Sequence, residues 1–101
     1  MVDYLQTKRA AIVAACERNA VLRLDAFGSA LRDDFSPGES DIDLLVEFEP
    51  LESYALVDAY FGLLDELRSL LGEVDLVMVG ALKNPYIARA IEREKQSLYA
   101  A

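Results

Sequence analysis

The sequence contains no histidine. That absence removes every mechanism built on an imidazole base or ligand, including catalytic triads and the common zinc sites. A single cysteine, Cys16, has no partner for an internal disulfide, and its place in a helical pattern reads as a buried, inert thiol. No apolar run approaches the roughly 18 residues that a membrane span needs. The opening Met1-Val2-Asp3-Tyr4 lacks the charged and apolar regions of a secretory signal, so the cytoplasm is the expected location. Basic side chains are scarce: 10 Lys and Arg stand against 18 Asp and Glu, for a formal net charge of −8. This balance disfavours direct binding to a nucleic-acid backbone, which needs clustered cations. It suits a basic protein partner or bound divalent cations, and it equally suits plain solubility. Carboxylates must do any acid–base or metal work.

What is present points to a folded α/β domain. The 101 residues are 53% apolar with mean hydropathy +0.16, enough for one modest core spanning residues 1–101. An acceptor needing its own binding domain would have to come from outside. Asp3 followed by Gln6 reads as a capping box opening a helix that carries Leu5, Ile12, Val13 and Cys16 to about Asn19. Val21 to Phe27 reads as a strand of imperfect alternation, and Gly28-Ser29 opens a short helical turn through Arg32. Ser36-Pro37-Gly38-Glu39-Ser40 is a loop by its turn residues, and Asp41 to Phe48 is a second strand.

Ser53 caps a long helix in which Leu56, Tyr60, Leu63, Leu64, Leu67, Leu70 and Leu71 recur at helical spacing, ended by Gly72. Gly62 within it costs about 1 kcal/mol against alanine, which packing can offset. Glu73 to Val79 reads as a third strand. Asn84-Pro85 supplies a cap and first-turn proline for a last helix with Ile87 and Ile91 on one face, and Ser97 to Tyr99 suits a short edge strand. With no repeat, linker or low-complexity segment, the expectation is one α/β domain with helices packed on a small mixed sheet.

Alternation places Asp41, Asp43, Leu45 and Glu47 on one strand face and Ile42, Leu44, Val46 and Phe48 on the other, the core side. Two carboxylates about 5 Å apart repel by roughly 3 kcal/mol at an effective dielectric of about 20. A divalent cation compensates them, and oxygen ligands without histidine or thiolate select Mg²⁺ or Mn²⁺ over zinc. Asp75, alone among apolar residues of the third strand, joins the pair if that strand neighbours the second; otherwise it is a strand-start residue reaching solvent. Three carboxylates around two ions form a clamp for in-line nucleotidyl displacement. Gly28-Ser29 adds a place where phosphate can approach the backbone and a hydroxyl and amides that can bind its oxygens. Singly, each element also fits a bland role, Gly-Ser as a turn and Asp-x-Asp as solvated charge. Their ordered conjunction is much rarer.

In this order, Gly28-Ser29, Arg32, Ser40-Asp41-Ile42-Asp43-Leu44-Leu45-Val46 and Val74-Asp75-Leu76-Val77, the chain resembles the minimal nucleotidyltransferases of the DNA polymerase β superfamily. Asn84-Pro85, Ile91 and Leu98-Tyr99 also resemble the end of that family. The resemblance implies the polymerase-β-like nucleotidyltransferase fold, with Asp41 and Asp43 holding both metals and Asp75 completing one metal site and orienting or deprotonating the acceptor hydroxyl. It implies nucleotide phosphates on Gly28 and Ser29, with Ser40 beside them, and Arg32 on the triphosphate, where an ion pair with Asp33 or Asp34 is the other reading. ATP is the implied substrate and Mg²⁺ the implied ion. A stand-alone domain of this kind resembles the antitoxin of HEPN/minimal-nucleotidyltransferase pairs. That implies AMP transfer to a tyrosine of a small helical ribonuclease toxin, with neutralisation by binding alone, or transfer to a small molecule such as an aminoglycoside, as alternatives. Two departures from the family pattern stand out: the Ser29-to-Asp41 spacing is one residue longer, and Ser36 replaces a frequent arginine.

Overall fold

The computed structural model describes residues 2–31 and 41–101. Its elements run α1 (Val2–Thr7), α2 (Arg9–Arg18), β1 (Val21–Phe27), a 3₁₀ turn (Gly28–Leu31), β2 (Ile42–Phe48), α3 (Ser53–Leu71), β3 (Val74–Met78), a second 3₁₀ turn (Val79–Ala81), α4 (Pro85–Glu94) and β4 (Gln96–Ala100). The four strands form one mixed sheet in the order β3-β2-β1-β4. β1 runs antiparallel to both β2 and β4, while β2 and β3 are parallel. A parallel pair needs a long crossover, and α3 is that crossover.

The expected faces are present. Leu24 and Ala26 of β1 with Ile42, Leu44 and Val46 of β2 join Ile12 and Cys16 of α2 and Leu63, Leu67 and Leu71 of α3 in one buried cluster. α3 enters it through the stripe that its leucine spacing predicts. The other sheet face differs from a simple solvent face, because Leu45 and Ile91 are buried there, outside that cluster. The imperfect alternation of β1 follows from its central position: it is hydrogen-bonded on both sides and covered on both faces, so Leu24, Asp25 and Ala26 are buried in succession.

Several local expectations need correction. The first helix is two helices, and because it starts at Val2, Asp3 lies inside it rather than at its cap. The Thr7 hydroxyl donates to the Tyr4 carbonyl at 2.7 Å and the Lys8 amide to the Leu5 carbonyl three residues back, so the chain tightens and turns at Lys8. Ser53 is the first residue of α3; Glu52 holds the cap position without a side-chain bond. Asn84 does cap α4, its Oδ1 accepting from the amides of Tyr86 at 2.9 Å and Ile87 at 3.3 Å. Of the two isoleucines expected on one face of α4, Ile91 is buried, while Ile87 stays 52% exposed. Among the described residues no helix is long and apolar enough to cross a membrane.

Candidate active site

The site lies where β1 ends and β2 and β3 begin. Antiparallel register sets Phe27 opposite Asp43, and parallel register sets Asp43 beside Asp75. Register partners on adjacent strands present side chains to the same face, about 5 Å apart across the ladder. Asp75 therefore neighbours the Asp-x-Asp pair, as it must if the three act together. Asp41 immediately precedes β2, and the Ile42 amide is fixed by the Glu73 carbonyl at 3.0 Å, which ties the start of β2 to the start of β3. Asp43 is half-buried, whereas Asp41 and Asp75 are exposed.

Gly28 follows β1 with φ +60°. Two constraints select glycine here. An L side chain is strained at this φ, and a Cβ would stand 2.6 Å from Asp43 Oδ2. The Gly-Ser and Asp-x-Asp elements, separate in sequence, thus share one volume. The Gly28 amide donates to Glu94 Oε1 at 3.3 Å, so the last residue of α4 reaches the same corner. Glu94 was not foreseen: it is 66 residues from Gly28 in the chain, and a glutamate near a helix end carries no signal of such a contact. Ser29 belongs by its backbone to the 3₁₀ turn. Arg32, Ser40 and the Ser36-to-Ser40 loop lie outside the described residues.

The donors gathered here are carboxylate oxygens, a set suited to a hard divalent cation. Among the described residues, however, no three His, Cys, Asp or Glu side chains form a group able to hold one ion. The backbone register brings Asp43 and Asp75 together. The one cysteine plays no part: Cys16 is fully buried in the core, and burial first, then the nearby Glu17 and Glu66 carboxylates, push its thiol up to about 12.

Known proteins share this architecture and sequence. The nucleotidyltransferase domain family matches residues 9–98. A protein of Methanocaldococcus jannaschii named "Putative protein adenylyltransferase" is 44% identical over 79 residues, 77% of this chain and 76% of its own length. Protein adenylyltransferase MntA of Thermococcus cleftensis is 39% identical over 79 residues, 77% of this chain and 75% of its own. Among solved structures, a toxin–antitoxin complex with AMP-PNP superposes with a TM-score of 0.65 at 21% identity, over 92% of this chain and 73% of the other. A complex of a tri-AMPylated Shewanella oneidensis HEPN toxin with its MNT antitoxin gives 0.58 at 19% identity, over 96% and 73%. These structural likenesses establish the shared fold, and with a family match running from α2 into β4 the chain belongs to the nucleotidyltransferase domain family.

Proposed function

We propose that this nucleotidyltransferase is an antitoxin that moves AMP from ATP to a tyrosine hydroxyl of a cognate HEPN ribonuclease toxin. The observation that carries the reading is the sequence likeness to two adenylyltransferases over three-quarters of the chain, joined to the register that sets Asp43 between Gly28 and Asp75. The acceptor oxygen attacks the α-phosphorus of ATP, the bond from that phosphorus to the bridging oxygen breaks, and pyrophosphate leaves. Asp75, on the outer strand, orients the hydroxyl and takes its proton. Asp41 and Asp43 would hold the metal, and Gly28 with Ser29, Arg32 and Ser40 would receive the phosphates. A divalent ion there, Mg²⁺ with Mn²⁺ as substitute, supplies the charge stabilisation that nucleotidyl displacement requires. Positioning by the strand ends supplies much of the rest. ATP as donor suits a cytoplasmic location.

Net charge −8 favours a basic partner over direct contact with nucleic acid. Neutralisation by binding alone is the second reading, favoured by the engagement of the Gly28 amide by Glu94, which occupies a donor the phosphates would use. Incubating the toxin with this protein, ATP and Mg²⁺ and weighing it intact separates the two. Steps of AMP mass that vanish with Asp75→Asn support transfer. An unmodified toxin, silenced equally by wild type and variant, makes binding the function.

A further inference from the structure

On α3 the apolar side chains that stay outside the core fall on one line. Tyr54, Val57 and Phe61 recur at helical spacing and are 89%, 52% and 56% exposed, a stripe about 10 Å long on the side away from the buried Leu63 and Leu67. The stripe borders two adjoining cavities. One, of about 180 Å³, is lined by Val57, Phe61 and Met78, and the other, of about 360 Å³, by Glu47, Glu49 and Val79. Leu56 and Met78 line both, so the two make one groove between the start of α3 and the end of β3. A lone exposed apolar residue is ordinary, whereas a contiguous apolar groove marks a place of contact.

The groove wall is fixed in place. Tyr60 packs edge-to-face on Phe61 with ring centroids 5.2 Å apart, and its hydroxyl donates to the Leu76 carbonyl at 2.7 Å. In the parallel ladder the Ile42 amide takes the Glu73 carbonyl, so the carbonyls of Glu73, Asp75 and Val77 face β2 and that of Leu76 faces the free edge of β3. Tyr60 therefore occupies an acceptor that an added strand would need, which leaves the groove to a helix. The surroundings are acidic. Glu47 and Glu49 line the groove, Glu52 precedes α3, and Asp58 and Asp65 share the exposed stripe with Phe61. None of these is in an ion pair among the described residues, and no lysine or arginine lines either cavity. A second copy of this chain would bring the same acids against them, and an anionic lipid surface would repel them.

We propose that this groove docks a basic amphipathic helix of a protein partner, its apolar ridge seated on Val57, Phe61 and Met78 and its Lys and Arg side chains reaching Glu49, Glu52 and Asp58. The apolar anchors supply affinity, and the acidic rim supplies orientation and speed of encounter. Asp75 stands at the start of β3 and Met78 at its end, about 10 Å along the strand. The docked helix thus sits at the far end of that strand from the acid corner. The inference concerns docking alone and holds whether or not the chain transfers AMP.

The test is titration of the full chain with a helical peptide of about four turns that carries a leucine stripe flanked by Lys and Arg, followed by amide chemical shifts. Two control peptides have the same composition scrambled to remove the stripe, or Glu in place of every Lys and Arg. Saturable shifts at Val57, Phe61 and Met78 are expected from the first peptide, with both controls at least about tenfold weaker. Phe61→Ala should weaken the first peptide about tenfold. Val57→Lys, which sets a like charge against the peptide and leaves the Tyr60–Phe61 contact in place, should abolish binding, and it decides the matter if Phe61→Ala disturbs the fold. Absence of saturable shifts, equal binding of the scrambled peptide, or wild-type binding by Val57→Lys overturns the proposal. Self-association of the chain, or its binding to phosphatidylcholine vesicles, that Val57→Lys removes would overturn it too, because the face would then belong to a second copy or to lipid.

Discussion

The two faces of the sheet come from the same strands yet do different work. On one, Leu24, Ala26, Ile42, Leu44 and Val46 meet α2 and α3 without a charged group. On the other, the same alternation presents Arg23, Asp25, Asp43, Glu47 and Asp75, only partly covered by α4. A two-residue period lets one strand hold the fold with its even positions and do chemistry with its odd ones. Substitutions one residue apart should therefore fail in different ways. The acids at the strand starts, Asp43 and Asp75, should lose activity at nearly constant stability, and the even positions should lose stability with activity intact in whatever remains folded.

Asp43→Asn should have the largest effect. Transfer should fall by at least about a thousandfold, on the scale of removing preorganised charge from a transition state. Melting temperature should hold or rise as repulsion with Asp41 and Asp75 is relieved. A transfer assay paired with a melting curve checks it, and parallel loss of both would place Asp43 with the core. The neighbouring Leu44→Ala should do the opposite. It is fully buried, so about 2–5 kcal/mol of stability should vanish in denaturant titration, with specific activity unchanged per folded molecule.

Gly28→Ala should come next and sharpen the boundary. Its φ of +60° and a Cβ 2.6 Å from Asp43 Oδ2 mean that the methyl must displace the carboxylate. We expect about 1–2 kcal/mol of destabilisation from the backbone strain and a proportionally larger fall in transfer, read from the same pair of assays. Equal losses would reduce Gly28 to a turn residue.

The smallest effect tests the silent side of the core. With its thiol pushed up to about 12 by burial, Cys16 stays protonated near pH 8 and should not react with a disulfide reagent until the protein unfolds. Prompt labelling of the native chain would show that the α2 face opens more readily than the site face. Beside it, the Arg18 guanidinium holds Glu66 below the usual carboxylate range. The sign follows from that depression: this pairing contributes above the unfolded carboxylate pKa and is lost as pH falls through the lower folded value. A melting series downward from pH 6 should show a shallower acid decline in Glu66→Gln, and the effect should be small because Arg18 is exposed.

Much of this was legible in the sequence because the signals were local. The β2 alternation, the leucine stripe of α3 and the Asn84-Pro85 start of α4 each depend on neighbours within a turn or a strand repeat, and each forms as read. Asp75 was readable as a partner of Asp43 on the condition that their strands pair, and they do. What escaped depends on long-range contact. Asp25 looks like a polar position on a half-exposed strand until β4 and α4 bring Lys95 and Ile91 over it. Nothing near Glu94 announces its bond to Gly28. Gly62, which reads as a cost inside a helix, faces Asn19: a Cβ there would stand 2.5 Å from Asn19 Oδ1, and Asn19 itself donates to the Ala15 carbonyl at 2.8 Å. The helix-breaking residue is thus what lets α3 approach the end of α2.

The central claim is that the strand ends carrying Gly28, Asp41, Asp43 and Asp75 form a metal-dependent nucleotide site. Calorimetric titration with Mg²⁺ and a non-hydrolysable ATP analogue tests it without any partner, comparing wild type with the Asp41→Asn, Asp43→Asn double variant. Wild type should give metal-dependent heat and the variant none, the variant remaining folded with a melting temperature at or above that of the metal-free wild type. Equal heats from the two proteins would contradict it.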